Sequence, residues 1–409
     1  MRHKKIIFIK SYPKVPFKNG AGLRQLEVFS FFQEKGYHCE MIYILPYIQW
    51  KYFKKEIENV KNIKIKLKNF PLKSFSFFHN NIRIISYSYG NSQKINPEKF
   101  LLILKYLVIT KKPDAICAHI IDIMTIASCS ESIRKKLILF VQDSEFLKPG
   151  KFEQLISYYY PELSGTPYFL DSMKRLFYSK LKGVHLLCVS KNLACKVKKF
   201  SNHKPFVLKY YLDKSRVIPG RYKREYIGFI NPIIEKGLGL LIRLAIAMPE
   251  RKFLVMGDAG PTTELLKEIF SILGNVTWKP FHLDIKQFWE KVRIFILPSF
   301  WGEGFPRIIL EAMINGIPVL ATKQKAIEEV LENTGFTFDI GYNLEQTPSK
   351  FVKSKNIDIR PWKNKIEELD NLEYYRSVSK KCKIAAEKYL NSIEKNKEEL
   401  IKWIDEITR

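Results

Sequence analysis

The residues best suited to chemistry lie in one segment, Pro298-Ser-Phe-Trp-Gly-Glu303-Gly304-Phe305-Pro306-Arg307-Ile-Ile-Leu-Glu311-Ala-Met-Ile-Asn-Gly316-Ile-Pro318-Val-Leu-Ala-Thr322. Its pattern predicts a strand end, a loop and a helix from Pro306 to Asn315, with Pro306 fitted to the first helical position. Free backbone N–H groups and the positive end of that helix favour an anion in front of it. Gly304 lets a ligand approach the backbone closely. Glu303 falls in the loop and Glu311 on the second helical turn. Carboxylates do not grip phosphate, but they accept hydrogen bonds from sugar hydroxyls. One therefore suits a transferred sugar and the other a ribose. The plainer alternative is that Glu303 caps the helix and Glu311 is merely exposed.

Other candidates follow strands. Lys236 and Gly237 close the loop after a strand at Tyr226 to Ile230, with Asn231 at its start. The stretch Asn19-Gly20-Ala21-Gly22-Leu23-Arg24 follows the first strand, although turns also need glycine. His119 ends a strand at Ala115 to Ile120, where a lone histidine is also compatible with simple packing. Asp143 and Ser190 stand at further strand ends, the side on which open α/β sheets bind ligands. There is no Asp-x-Asp, and no cysteine has a partner at zinc-ligand spacing, so no metal is expected.

The long segment resembles the Glu-x7-Glu signature of family 4 of the retaining GT-B glycosyltransferases, here Glu-Gly-Phe-Pro-x4-Glu-Ala-Met-x2-Gly-x-Pro-Val followed by Ala-Thr. The resemblance extends along most of the chain. It implies a GT-B fold, two Rossmann-like domains facing across a cleft, with a nucleotide-diphosphate sugar on the C-terminal one. It further implies that Glu303, His119 and Lys236 act at the transferred sugar and the donor diphosphate. Glu311, Gly304, Phe305, Pro306, Asn231, Gly20, Gly22 and Thr322 would line the donor site, with Glu311 on the ribose. Asp143 and Arg24 are candidates on the acceptor side. Two departures stand out: Asn231 replaces the usual Arg five positions before Lys236, and Lys325-Ala326-Ile327-Glu328-Glu329 replaces the usual Gly-Gly-x-x-Glu. Lys323 or Arg24 is a candidate to supply the missing charge. The implied reaction retains the anomeric configuration and needs no cofactor or metal.

These residues need two alternating series of strands and helices, which places the chain in the α/β class. The first series runs from Lys5 to Ser190 and includes a short strand at Ile63 to Leu67. The second runs from Tyr226 to Ala321. The expected division is an N-terminal acceptor-binding domain over 1–212, a hinge over 213–223 and a C-terminal nucleotide-sugar domain over 224–374. A long helix from about Tyr375, within a tail of 375–409, carries an apolar stripe (Val378, Cys382, Ala385, Tyr389, Ile393) that needs a groove, for which the N-terminal domain is a candidate.

The chain has 409 residues, 46% of them hydrophobic, enough for two cores. Six scattered cysteines fit reduced thiols and a cytoplasmic protein. The greasy stretch Phe100 to Thr110 is short of the roughly 20 residues a membrane span needs. The net charge of +28 is concentrated: residues 1–200 hold 35 Lys+Arg against 14 Asp+Glu, a net of +21. That half is expected to face something anionic: a membrane surface, a phosphorylated carrier lipid, an acidic glycan or nucleic acid. Compositional enrichment in lysine is the bland alternative. No known nucleic-acid-binding module is present, which disfavours that partner. The expected partners are thus a nucleotide sugar, a glycan or lipid-linked acceptor for cell-surface glycan synthesis, and the inner face of the membrane. A GT-B nucleotide-sugar epimerase and a catalytically silent glycan-binding homologue are the alternatives.

Overall fold

The computed structural model describes residues 4–10, 20–60, 63–68, 73–79, 81–89, 97–119, 130–142, 175, 178–179, 181–210, 212, 216–218, 224–257, 263–280, 285–344, 347 and 352–409. The first sheet contains β1 (Lys5–Lys10), β2 (His38–Pro46), β3 (Lys66–Lys68), β4 (Ser74–His79), β5 (Ile82–Tyr89), β6 (Ala115–His119), β7 (Leu137–Val141), β8 (His185–Cys188) and β9 (Phe206–Val207). Their order is β3-β4-β5-β2-β1-β6-β7-β8-β9. Runs such as Ile6 to Ile9 and Leu137 to Val141 are buried along their whole length. Strands of that kind need a helix layer on each face, and they pair in parallel.

The sequence pattern missed β4. Its alternating Phe75 and Phe77 are buried, while it pairs antiparallel with both β3 and β5 at the sheet edge. The strand expected from Ile63 is correspondingly displaced to Lys66–Lys68.

The second sheet contains β10 (Tyr226–Ile230), β11 (Phe253–Met256), β12 (Val276–Lys279), β13 (Val292–Leu297), β14 (Val319–Thr322) and β15 (Phe336–Phe338), all parallel, in the order β12-β11-β10-β13-β14-β15. This is the doubly wound order with its switch between β10 and β13. In the first sheet the switch lies between β1 and β6. The loops after β10 and β13 carry Lys236 and Glu303, while helix Gly20–Glu34 follows β1 and His119 ends β6. Topology alone therefore directs most of the candidate residues to the two crevices.

The C-terminal tail is two helices, not the single long one expected. Helix Leu372–Asn391 is capped by Asn371, whose side chain accepts from the Tyr374 N–H at 3.0 Å. It packs along helix Arg307–Ile314, where Ser379 Oγ donates to the Gly316 carbonyl at 2.6 Å. At Ser392 the hydroxyl bonds to the Tyr389 carbonyl (2.5 Å) and the chain breaks into helix Ile393–Ile407. That helix crosses to the first sheet, where Leu400 and Ile404 join the apolar cluster of Phe29 and Phe32. Asn396 clips the end of β9, accepting from Lys209 N–H (2.8 Å) and donating to the Val207 carbonyl (3.0 Å). Lys4 and Asp405 pair at 2.7 Å.

Among the described residues no helix is long and apolar enough to cross a membrane. Cys39, Cys117, Cys188 and Cys382 are buried free thiols, with burial pushing Cys39 and Cys188 up to about 12, whereas Cys195 is exposed. Cys129 lies outside the described residues.

Candidate functional site

Lys236 and Glu303, 67 positions apart, meet at the switch point: Lys236 Nζ donates to Glu303 Oε1 at 2.6 Å. Each is placed by its own turn. Lys236 ends a short 3-10 turn, and Gly237 follows with φ 87°, the left-handed region. A Cβ on Gly237 would stand 2.1 Å from the Pro298 carbonyl oxygen, so the Lys-Gly pair is fixed by the close passage of the chain leaving β13. Glu303 is oriented by two further contacts. Ser299 Oγ donates to Oε1 at 2.6 Å, and the Glu303 N–H donates to Gln324 Oε1 at 3.2 Å. Gln324 was not singled out from the sequence, yet it ties the loop together. Its Nε2 also donates to the Ser299 carbonyl (2.8 Å) and to Thr322 Oγ1 (3.2 Å). Thr322 is buried and donates to the same Ser299 carbonyl at 2.7 Å.

Pro306 stands one place earlier than expected. It is the N-cap, with ψ 89°, and helix Arg307–Ile314 starts after it. Phe305 is buried against Tyr389 of the tail, ring centroids 5.5 Å apart. Gly304 proves to be a contact between domains: a Cβ there would lie 1.8 Å from the Gln142 carbonyl oxygen just after β7. The expected approach of a ligand to this glycine is taken by the other domain's backbone.

Asn231 has φ 60°. Its N–H donates to the Met256 carbonyl at 2.9 Å, which holds the end of β10 beside β11. Asparagine tolerates the left-handed region better than arginine does, which accounts physically for the residue found there.

Glu311 is not exposed. It is almost wholly buried, and Arg216 Nη1 donates to its Oε1 at 2.9 Å. Burial raises its pKa while Arg216 and Arg307 oppose the rise. Its Oε2 is buried and makes no hydrogen bond of normal geometry, although the Trp289 indole lies close enough to help lower the carboxyl's pKa. Arg216 lies in the predicted hinge, of which 216–218 are described. Asn315 fastens the same strap, accepting from the Ile218 N–H at 2.8 Å. Glu311 and Glu303 thus have different partners and different environments.

On the facing domain, His119 is buried at the end of β6. Ser190 has a structural role, because its side chain accepts from the Leu193 N–H (3.2 Å) and caps helix Lys191–Val197. The same helix start takes a carboxylate from the second domain: Glu329 accepts from the N–H groups of Lys191 (2.8 Å) and Asn192 (3.0 Å). Gly20 and Gly22 lie in the first turns of helix Gly20–Glu34 rather than in a loop before it. The side chain of Arg24 and the whole of Asp143 lie outside the described residues. A cavity of about 240 Å³ opens between the domains, lined by Glu303, Gln324 and Lys323 on one side and Asn192 and Lys196 on the other. Among the described residues no group of three or more His, Cys, Asp or Glu is gathered to hold a metal ion.

Comparison with known proteins places this geometry. Residues 224–350 match the family described as "Glycosyl transferases group 1". The full chain superposes on the sucrose-phosphate synthase of Thermosynechococcus elongatus with a TM-score of 0.67 at 12% identity, covering 99% of each chain. It superposes on Anabaena HepE, solved with UDP and glucose, with a TM-score of 0.65 at 17% identity, covering 98% of this chain and 100% of that one. The fold is GT-B.

In sequence, the similarity is concentrated in part of the chain. A protein of the cps region of Klebsiella pneumoniae is 31% identical over 118 residues, 28% of this chain and 31% of that protein. The sulfoquinovosyl transferase SQD2 of Arabidopsis thaliana is 31% identical over 114 residues, 26% of this chain and 22% of that protein. The chain thus spans less than a third of either relative's length. In GT-B terms, the Lys236–Glu303 pair belongs to the C-terminal domain, and Glu329 joins that domain to the N-terminal one.

Proposed function

We propose that this protein is a retaining glycosyltransferase that takes a sugar from a nucleotide diphosphate and passes it to a glycan or lipid-linked acceptor at an anionic membrane surface. The carrying observation is the Lys236–Glu303 pair at the switch point, inside the segment that matches the group 1 family. The neighbour HepE was solved with UDP-glucose, which favours a uridine nucleotide sugar as the first donor to try.

Without donor, Lys236 and Glu303 neutralise each other. An entering diphosphate competes for the Lys236 ammonium through charge-assisted hydrogen bonds. That frees Glu303 to accept hydrogen bonds from hydroxyls of the sugar, while Ser299 and Gln324 hold its loop in place. The bond between the anomeric carbon and the leaving phosphate oxygen then breaks, and the acceptor oxygen bonds to the same face of the carbon. The acceptor proton passes to the departing phosphate, whose growing charge Lys236 stabilises. No step requires a divalent metal, in line with the lack of Asp-x-Asp. The same division of roles gives Glu311 the ribose, through the Oε2 that Arg216 leaves unused.

The test is release of nucleoside diphosphate from a panel of uridine, adenosine and guanosine diphosphate sugars, with and without chelator. At least one donor should be consumed, and the chelator should leave its rate unchanged. Loss of activity with chelator and its return with added metal would remove the metal-free step. Failure of the whole panel would remove the transferase reading.

A further inference from the structure

Helix Pro97–Lys111 carries apolar side chains on two sides. Phe100, Ile103, Leu104 and Leu107 are buried in the cluster that includes Ile7, Ile42, Ile44 and Ile116 of the first sheet. Pointing away from the sheet, Leu102, Tyr106 and Ile109 are 64%, 38% and 69% exposed. Their spacing aligns them into one ridge about 10 Å long at 1.5 Å per residue. A helix covering a sheet ordinarily turns polar residues outward. Lys99 and Lys105 are exposed on this helix and Lys112 just beyond it, with Glu98 its one acidic residue.

The apolar surface extends onto the sheet edge. Phe78 of β4 is 59% exposed and stands in register with Arg83. Phe75 and Phe77 point to the opposite face, so Phe78 shares a side with the helix. The ends meet at Glu40, which takes Lys111 at 2.6 Å and Arg83 at 3.5 Å.

We infer that the outer face of helix Pro97–Lys111, with Phe78 beside it, docks on an anionic lipid surface. Leu102, Tyr106, Ile109 and Phe78 would enter the boundary between headgroups and acyl chains, and Lys99, Lys105, Lys112 and Arg83 would reach the lipid phosphates. With its inner apolar side buried on the sheet, the helix is not a free amphipathic one, but its exposed apolar side chains bordered by cations suit the boundary between headgroups and acyl chains, and each lysine near the surface adds attraction to an anionic leaflet. Residues 1–200 supply the wider field, with a net charge of +21. The inference rests on the proposed function only in making the acceptor accessible from a membrane.

The experiment is sedimentation of the full chain with phosphatidylcholine vesicles, with and without phosphatidylglycerol, at low and high salt. The wild type should bind the anionic vesicles at low salt and release them at high salt. Leu102→Ser with Ile109→Ser leaves the net charge unchanged and should weaken binding at least tenfold. Lys99→Gln, Lys105→Gln and Lys112→Gln together should do the same. Three exposed lysines of the other domain, Lys355, Lys380 and Lys381, changed together to Gln, should leave binding near wild type. Equal binding by the serine variant, equal losses in the two lysine variants, or no binding by the wild type would overturn the inference. So would self-association of the wild type that the serine variant abolishes. Nucleotide-sugar binding, measured in parallel, should be the same in all variants. Its absence throughout would remove the proposed function while leaving the vesicle result to stand or fall separately.

Discussion

At the residue scale, Gly304 and the Arg216–Glu311 pair give the clearest consequences. A methyl group at position 304 has no room beside the Gln142 carbonyl, so Gly304→Ala must separate the domains locally. The variant should fold, melt within about 1 kcal/mol of wild type in each domain, and turn over at least tenfold more slowly. Wild-type turnover would show that this contact is not part of the working state.

Arg216→Ala leaves a buried carboxylate without its partner, at a cost on the order of 2–4 kcal/mol. Adding Glu311→Leu removes the orphaned charge and should recover much of that loss. Denaturant titration of both variants checks this, and additive losses would contradict the pairing. The Glu-x7-Glu spacing made both carboxylates visible in the sequence, but not the burial of Glu311, because its partner comes from a strap 95 positions away. Asn231 read as a deficit of charge. Only the backbone shows that its position requires a positive φ.

At the scale of elements, the parallel strands were legible because each is a continuous apolar run between turn signals. β4 was not, since Ser-Phe-Ser-Phe-Phe-His, next to the edge strand β3, buries only Phe75 and Phe77 among its aromatics and has no helix after it to mark a repeat. The tail shows the same limit. Its stripe of Val378, Cys382, Ala385 and Tyr389 predicts a helix in a groove, but the break at Ser392 depends on a local hydroxyl-to-carbonyl bond.

The docking of the second tail helix should be sensitive to acid. Trp403 packs on Phe206 (5.3 Å) and edge-on to His185 (6.0 Å), and His185 stacks on His203 at 4.3 Å. Burial, then the neighbouring His203, lowers the His185 pKa from 6.5 to about 4. The unfolded chain therefore binds more protons between these values, so stability rises with pH across the window and falls as pH drops from about 6.5 toward about 4. The loss is on the order of 2–3 kcal/mol. Melting of wild type and His185→Phe at pH 7 and pH 5 checks it. The variant should lose less on acidification, and equal losses would assign the effect to other groups.

For the whole molecule, the two domains are held together by contacts absent from either one alone. Glu329 caps a helix of the N-terminal domain, Gly304 meets Gln142, and Arg307 approaches Glu27 at 3.7 Å and lies over Tyr210 at 4.4 Å. The cavity of about 240 Å³ is small beside the roughly 300–1,000 Å³ of most ligand sites. Of the contacts between the domains, the Glu329 carboxylate is one that a single substitution removes without changing the backbone of either domain. Glu329→Ala removes the cap and should raise the radius of gyration measured by small-angle scattering without donor. An unchanged radius would show that closure does not depend on it. In the sequence, Glu329 was one residue of an altered Gly-Gly-x-x-Glu stretch, and nothing in that stretch identifies the helix it caps.

The most direct test of the central claim is titration of wild type, Lys236→Ala and Glu303→Gln with UDP and with the UDP-sugar that binds wild type best. The account predicts that Lys236→Ala weakens both ligands by a charge-assisted hydrogen bond, about 1.5–3 kcal/mol or roughly tenfold to more than a hundredfold. Glu303→Gln removes the carboxylate that competes with the diphosphate for Lys236, so it should leave UDP binding unchanged or tighter, while weakening the UDP-sugar relative to UDP and cutting turnover. Equal losses for UDP and UDP-sugar in Glu303→Gln, or wild-type affinity for both in Lys236→Ala, would contradict the assignment of this pair to the donor.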